Sequence, residues 1–197
     1  MKLIFNVIAG LLLLTNVSFA QTKWSVDPAH SNVHFEVKHL GISFVDGQFK
    51  KLEGAVESTN DKDFNLAKIN FGIDVNSIDT RIEMRDKHLK SDDFFNAEKF
   101  PHITLKNAVL KREGKGGKYV LTGDLTLRDV TKSVKFDVVQ HNGTITDPWG
   151  KTRAGFTAST TINRLDYNIK YNDKLPDGVP AVAADVKIVV NVEIVKN

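Results

Sequence analysis

Alternation of apolar and polar residues recurs through this chain, and no other feature limits its fold so severely. It is cleanest where Ile69, Phe71, Ile73 and Val75 interleave with Lys68, Asn70, Gly72, Asp74 and Asn76. Side chains of an extended strand project to opposite faces with period two, so such a run makes a strand with one apolar and one wet face. The pattern returns at Val33, Phe35 and Val37, at Tyr119, Leu121, Leu125 and Leu127, and at Val134, Phe136 and Val138. It closes the chain at Val186, Ile188, Val190, Val192 and Ile194. Turn chemistry separates the runs, at Asp46-Gly47, Gly114 to Gly117, Asp129, Asn142-Gly143, Asp147-Pro148 and Asp177-Gly178.

Eight runs result: 30–39, 44–58, 67–78, 102–112, 118–128, 131–141, 151–163 and 185–196. Short turns between long strands imply antiparallel pairing, and eight strands suffice to close a barrel that just holds one ligand. The expected fold is therefore all-β, an antiparallel barrel of about eight strands. In the second run Phe49 lies on odd parity but Leu52 and Val56 on even, which predicts a β-bulge near Lys50-Lys51.

One segment departs from the alternation. Thr80-Arg81-Ile82-Glu83 has the form of a capping box, so a short helix is expected to begin there. Ile82, Arg85, Asp86 and Leu89 would then share the face packed on the barrel, and a second turn from Ser91 would carry Phe94 and Phe95.

The first twenty residues differ from the rest. Lys2 precedes a nearly unbroken apolar stretch from Leu3 to Leu14, and Ser18-Phe19-Ala20 has the small-x-small form of a cleavage site. This predicts a secretory signal peptide over 1–20, cut before Gln21, and one domain over 21–197. A membrane anchor is the alternative, but Asn6 and Asn16 bracket a core shorter than a bilayer requires. The chain has no cysteine, so an exported fold would rest on packing and strand pairing without disulfides. Its formal charge is +3 with basic and acidic residues interspersed, which offers no stripe for a nucleic-acid backbone.

Ten strand residues span over roughly 30 Å, enough for an extended lipid tail along a barrel axis. Alternation alone leaves a filled and a hollow interior equally open, although the small Ala154 and Ala158 beside Phe156 leave room. His39 continues the inward phase of Val33, Phe35 and Val37, and Arg164 that of Phe156 and Ile162. Each either meets a lipid head group or finds a partner within the protein, for Arg164 for instance Asp166. Arg85 and Asp86 either polarise a substrate or tie the helix to the rim. His30 and His34 would stand roughly 13 Å apart on a strand, too far to share a metal ion. No Gly-x-Ser-x-Gly elbow occurs, and the Gly114–Gly117 run precedes a strand, as a hairpin loop does and a phosphate cradle does not.

Taken in order, Trp24-Ser25-Val26-Asp27-Pro28-Ala29-His30-Ser31, Phe35, His39, Gly47-Gln48-Phe49 and Gly54 resemble the opening of YceI-like proteins. Arg85-Asp86-Lys87-His88-Leu89, Ser91-Asp92-Asp93-Phe94-Phe95, Gly123-Asp124-Leu125 and Ile162-Asn163-Arg164 extend the resemblance across nearly all of 21–197. It implies a lipocalin-like barrel with a helix beside its mouth, exported to the periplasm and often paired as a homodimer. It also implies a polyisoprenoid, prenyl quinone, or fatty acid or amide as ligand; the residues themselves lead us to expect no cofactor and no metal. The expected ligand-binding residues are Phe35, His39, Phe71, Arg85, His88, Phe94, Phe156 and Arg164, with no catalytic residue. Competing readings are an enzyme acting on lipid at the mouth and an interaction module using an exposed apolar outer face. The chain departs from the family pattern at Asn168 and Asp129, where glycine is usual, and both residue types tolerate positive φ.

Overall fold

The computed structural model describes residues 21–114 and 116–197; the expected signal peptide lies outside them. The described residues form eleven strands, β1 (Thr22–Val26), β2 (Asn32–His39), β3 (Ser43–Phe49), β4 (Leu52–Ser58), β5 (Lys68–Asp74), β6 (Ile78–Asp79), β7 (His102–Arg112), β8 (Lys118–Leu127), β9 (Val130–Thr146), β10 (Thr152–Asn163) and β11 (Val182–Lys196). One helix, α1 (Glu83–Lys90), follows β6.

These strands build one closed sheet. β11 pairs through Val182 to Asn191 with β2 and through its last residues with β1, while β1 pairs with β4 and β2 with β3. β4 pairs with β5 and β3 with β6, and β7 to β11 follow in sequence order. Thus β1 with β2, β3 with β4, and β5 with β6 are three interrupted staves. Together with β7 to β11 they make an antiparallel barrel of eight staves, as the alternation required. The ring closes through β1 and β11, whereas β3 pairs beyond β2 only at Gln48 and Phe49, with β6, so its outer edge from Ser43 to Gly47 has no strand partner among the described residues.

The parity change at Lys50-Lys51 is resolved differently from expectation. No bulge forms there; the strand stops at Phe49 and restarts at Leu52 against other neighbours. Bulges sit elsewhere, notably in β7, where Asn107 at φ 51° moves the inward set from Ile103 and Leu105 to Ala108 and Leu110.

One end is sealed by aromatic packing. Trp24 is fully buried, donates to Ser58 Oγ at 2.9 Å, and lies 5.2 Å from the Phe64 ring, which meets Phe156 edge-on at 5.0 Å. Outside this end Arg153 ties Asp27, Asp147 and Glu193 together, with the Asp27 and Asp147 contacts at 2.7 and 2.6 Å. Toward the other end the inward residues open: Val33 is buried while Phe35, Val37 and His39 are half-buried, and Ile69 is buried while Phe71 and Ile73 are not. That gradient repeats in β11, from buried Ile194 and Val192 to half-buried Val190, Ile188 and Val186. The barrel is a cup.

Two of its aromatic wall residues lie over glycines of the adjacent strand. Gly47 stands opposite Phe35 and Gly54 opposite Phe71. A Cβ on Gly54 would come within 1.9 Å of the Phe71 ring, and one on Gly47 within 2.4 Å of the Phe35 ring. Only the missing side chain lets each ring lean sideways onto the wall.

Candidate functional site

Inside the cup lies a cavity of about 320 Å3, lined by thirty residues of which twenty-five are apolar. This size falls within the range of small-molecule sites. The hollow left open by the alternation is therefore present. Seven of the eight expected site residues, Phe35, His39, Phe71, Arg85, His88, Phe94 and Arg164, line it. Phe156 does not: it is buried against Phe64 in the sealed end, because inward parity fixes its face but not its height along the axis.

The polar wall is confined to five residues, His39, Arg85, His88, Arg164 and Tyr171. His39 ends β2 opposite Val182 at the start of β11, and Arg164 follows β10 in a short 3-10 turn, Arg164–Tyr167, at the same end. Arg164 is 3% exposed and donates to four backbone oxygens, those of Ile169, Tyr171, Val182 and Ala183. It thereby staples the returning loop to β11. Burial pushes its guanidinium below the ordinary value, but arginine stays charged in proteins. The expected partner Asp166 instead pairs with Lys132 at 2.9 Å.

The helix sits across this mouth. Thr80 and Glu83 do not form the expected capping box: Arg81 takes φ 67°, which turns Thr80 away from the first helical turn, and Ile82 becomes the N-cap without a side-chain bond. Ile82 is accordingly 52% exposed and is not on the packed face. The Thr80 hydroxyl donates to Asp86 Oδ1 at 2.6 Å and accepts from Arg85 Nε at 2.7 Å, while Arg85 Nη2 donates to the Thr80 carbonyl oxygen at 2.7 Å. Thr80 N–H also donates to Asp86 Oδ1. Arg85 and Asp86 therefore do tie the helix to the rim.

His88, one turn further on, bonds Asp93 at 2.9 Å and meets the rings of Phe94 and Tyr171 edge-on at 5.1 and 5.7 Å. Phe94 stacks on Tyr171 at 5.0 Å. This aromatic cluster joins α1 to the loop after Arg164 at the cavity wall. Sequence reasoning missed Tyr171, although Tyr167, Ile169 and Tyr171 keep the period-two phase and the first two are buried.

The two departures from the family pattern touch each other: Asn168 Nδ2 donates to Asp129 Oδ1 at 3.1 Å. Asn168 takes φ 58°, as its residue type permits, whereas in the other turn positive φ falls on Arg128 and not on Asp129. Arg128 is buried there, its terminal nitrogens bonded to Asp92 and the Phe94 carbonyl oxygen and its Nε without a partner among the described residues.

At the sealed end, Asp27, His30 and Glu193 bring ligand atoms within 4.8 Å of one another. Arg153 already contacts both carboxylates and supplies the positive charge they need. The most exposed large apolar residues are Ile42 and Met84 toward the mouth and Trp149 at the sealed end.

A YceI-like domain model matches residues 24–194. The chain belongs to the YceI-like family. Among its relatives, UPF0312 protein plu2095 of Photorhabdus laumondii is 39% identical over 171 residues, covering 86% of this chain and 87% of that protein. Among solved structures, BcnA of Burkholderia cenocepacia superposes with a TM-score of 0.67 at 24% identity, covering 85% of this chain and 98% of the other. A polyisoprenoid binding domain from Saccharophagus degradans gives 0.63 at 16% identity, covering 88% and 98%. At such identities the two structures establish the shared barrel.

Proposed function

We propose that this YceI-like protein is exported to the periplasm after cleavage before Gln21 and holds one long apolar lipid in its barrel, as a carrier or store. The observation that carries the reading is the cup itself: an apolar cavity sealed at one end, with its polar side chains gathered at the other. A polyisoprenoid, prenyl quinone or fatty-acid chain suits such a wall, because each methylene moved from water into it contributes roughly 0.8 kcal/mol. The polyisoprenoid binding of the Saccharophagus domain supports the same ligand class. Phe35, Phe71 and Phe94 would contact the tail, and His39, Arg85, His88 and Arg164 the head. Pairing as a homodimer goes with this reading as a proposal.

An enzyme at the mouth is less well supported, since Arg85 and Asp86 are both engaged by Thr80. The test is to purify the protein from its source, extract it with organic solvent and identify the extract by mass spectrometry. A stoichiometric long-chain lipid is expected; protein that is reproducibly empty and takes up no added lipid would refute the reading.

A further inference from the structure

The chain has six arginines, and four of them meet carboxylates: Arg81 with Asp46, Arg112 with Asp63, Arg128 with Asp92, and Arg153 with Asp27, Asp147 and Glu193. The remaining two are Arg85 and Arg164, the two that line the cavity. Among the described residues neither pairs with a carboxylate. Their contacts are instead to Thr80 for Arg85 and to four backbone carbonyl oxygens for Arg164. Carbonyl and hydroxyl oxygens orient a guanidinium but bring only partial charge, so two full positive charges stand at the edge of an apolar hollow. A charge taken from water without a counterion is costly, and arginine cannot escape by losing its proton.

The rest of the wall does not offset them. His39, His88 and Tyr171 are the other polar residues lining the cavity, and no carboxylate or amide side chain lines it. Asp86 reaches Arg85 only through the Thr80 hydroxyl, which donates to Asp86 and accepts from Arg85 Nε, and Asp93 is bonded by His88. A chain of contacts places the two arginines around one opening. Arg164 holds the Tyr171 backbone, the Tyr171 ring meets His88, and His88 lies one helical turn after Arg85. Donors also remain. A guanidinium has five N–H groups, of which Arg85 uses two and Arg164 four in the described contacts.

Building on the lipid-binding reading, we infer that the ligand's polar end is an anion, a carboxylate or a phosphate, seated on the free edge of Arg85 with the fixed charge of Arg164 behind it. The barrel then selects acid-headed lipids over neutral lipids of the same tail. Arg85 carries the discrimination, because it has the open donors and a planar fork that fits either oxyanion. Arg164 supplies field and scaffolding.

The test compares matched probes at pH 8 by competition with a fluorescent fatty acid: oleic acid against oleamide and oleyl alcohol, and farnesyl phosphate against farnesol. The expected result is at least tenfold tighter binding of the acid member in one pair or both, and the pair that responds distinguishes carboxylate from phosphate. Arg85→Gln is expected to reduce that preference to less than threefold, and a preference that survives it unchanged overturns the role of Arg85. Arg85→Lys, which keeps the charge, is expected to retain part of the preference, and covers the case in which Arg85→Gln loses the helix. Equal affinity of acid and neutral members overturns this inference alone. Failure of every probe to bind overturns the lipid-binding reading, and this inference with it.

Discussion

Replacing Ala158 with leucine tests the hollow directly. Ala158 lies midway along β10 between Val138 and Val190, and its methyl group faces the cavity from a position where it is 8% exposed. Leucine adds three carbon atoms there. In the empty protein they enter unfilled apolar space, so at roughly 0.8 kcal/mol per carbon the variant gains up to about 2 kcal/mol, less any strain in seating the new side chain. In a protein of this size that raises the melting temperature by a few degrees. A bound tail must surrender the space of about three methylenes, and the same coefficient weakens binding by about 2.4 kcal/mol, or some sixtyfold. Two measurements check it: differential scanning calorimetry of delipidated protein, and displacement of a fluorescent fatty acid. A fall of several degrees in melting temperature would mean that Ala158 packs against a solid interior. Unchanged affinity would mean that the ligand lies elsewhere, and either result refutes the cup as the binding site.

Further perturbations separate wall, base and rim. Gly54→Ala forces a Cβ against the Phe71 ring and is expected to cost about 1–3 kcal/mol by urea denaturation, with partial recovery in Gly54→Ala/Phe71→Ala, where the clash is gone. Trp24→Ala removes the largest fully buried side chain from the sealed end and is expected to cost about 3–5 kcal/mol, while lipid affinity of the folded fraction stays within a few-fold. Arg153 beside Asp27, helped by His30, holds the Asp27 carboxyl down at about 2 against an ordinary 3.8. Because the folded value is the lower one, its contribution is complete above pH 4 and disappears as the pH falls toward 2. After solvent screening it is on the order of 1 kcal/mol, and Asp27→Asn should flatten the stability profile across that window.

The barrel was legible because period two acts locally: each strand declares its inner face whatever its neighbours do. What the pattern could not express was height along the axis, which is why Phe156 was expected at the wall and stands in the base. The break at Lys50-Lys51 was visible as a parity change, but a bulge and a change of partners leave the same trace in sequence. Thr80 and Glu83 had the spacing of a cap, and one left-handed residue, Arg81, sufficed to undo it. The Arg153 cluster joins Asp27, Asp147 and Glu193, residues that share no periodicity and meet only once the barrel closes. Tyr171 continues the phase of Tyr167 and Ile169 beyond Arg164, within a segment that has the composition of a loop.

Phe35 and Phe71 lie flat because Gly47 and Gly54 make room on the next strand, so the bore is set by residues a guest molecule need never meet. A single added methyl group on either glycine would swing a ring inward and narrow the channel without altering any polar group at the rim. Gauge and head-group recognition can therefore drift independently in such barrels, and a survey of bore among relatives should begin with the positions that carry no side chain.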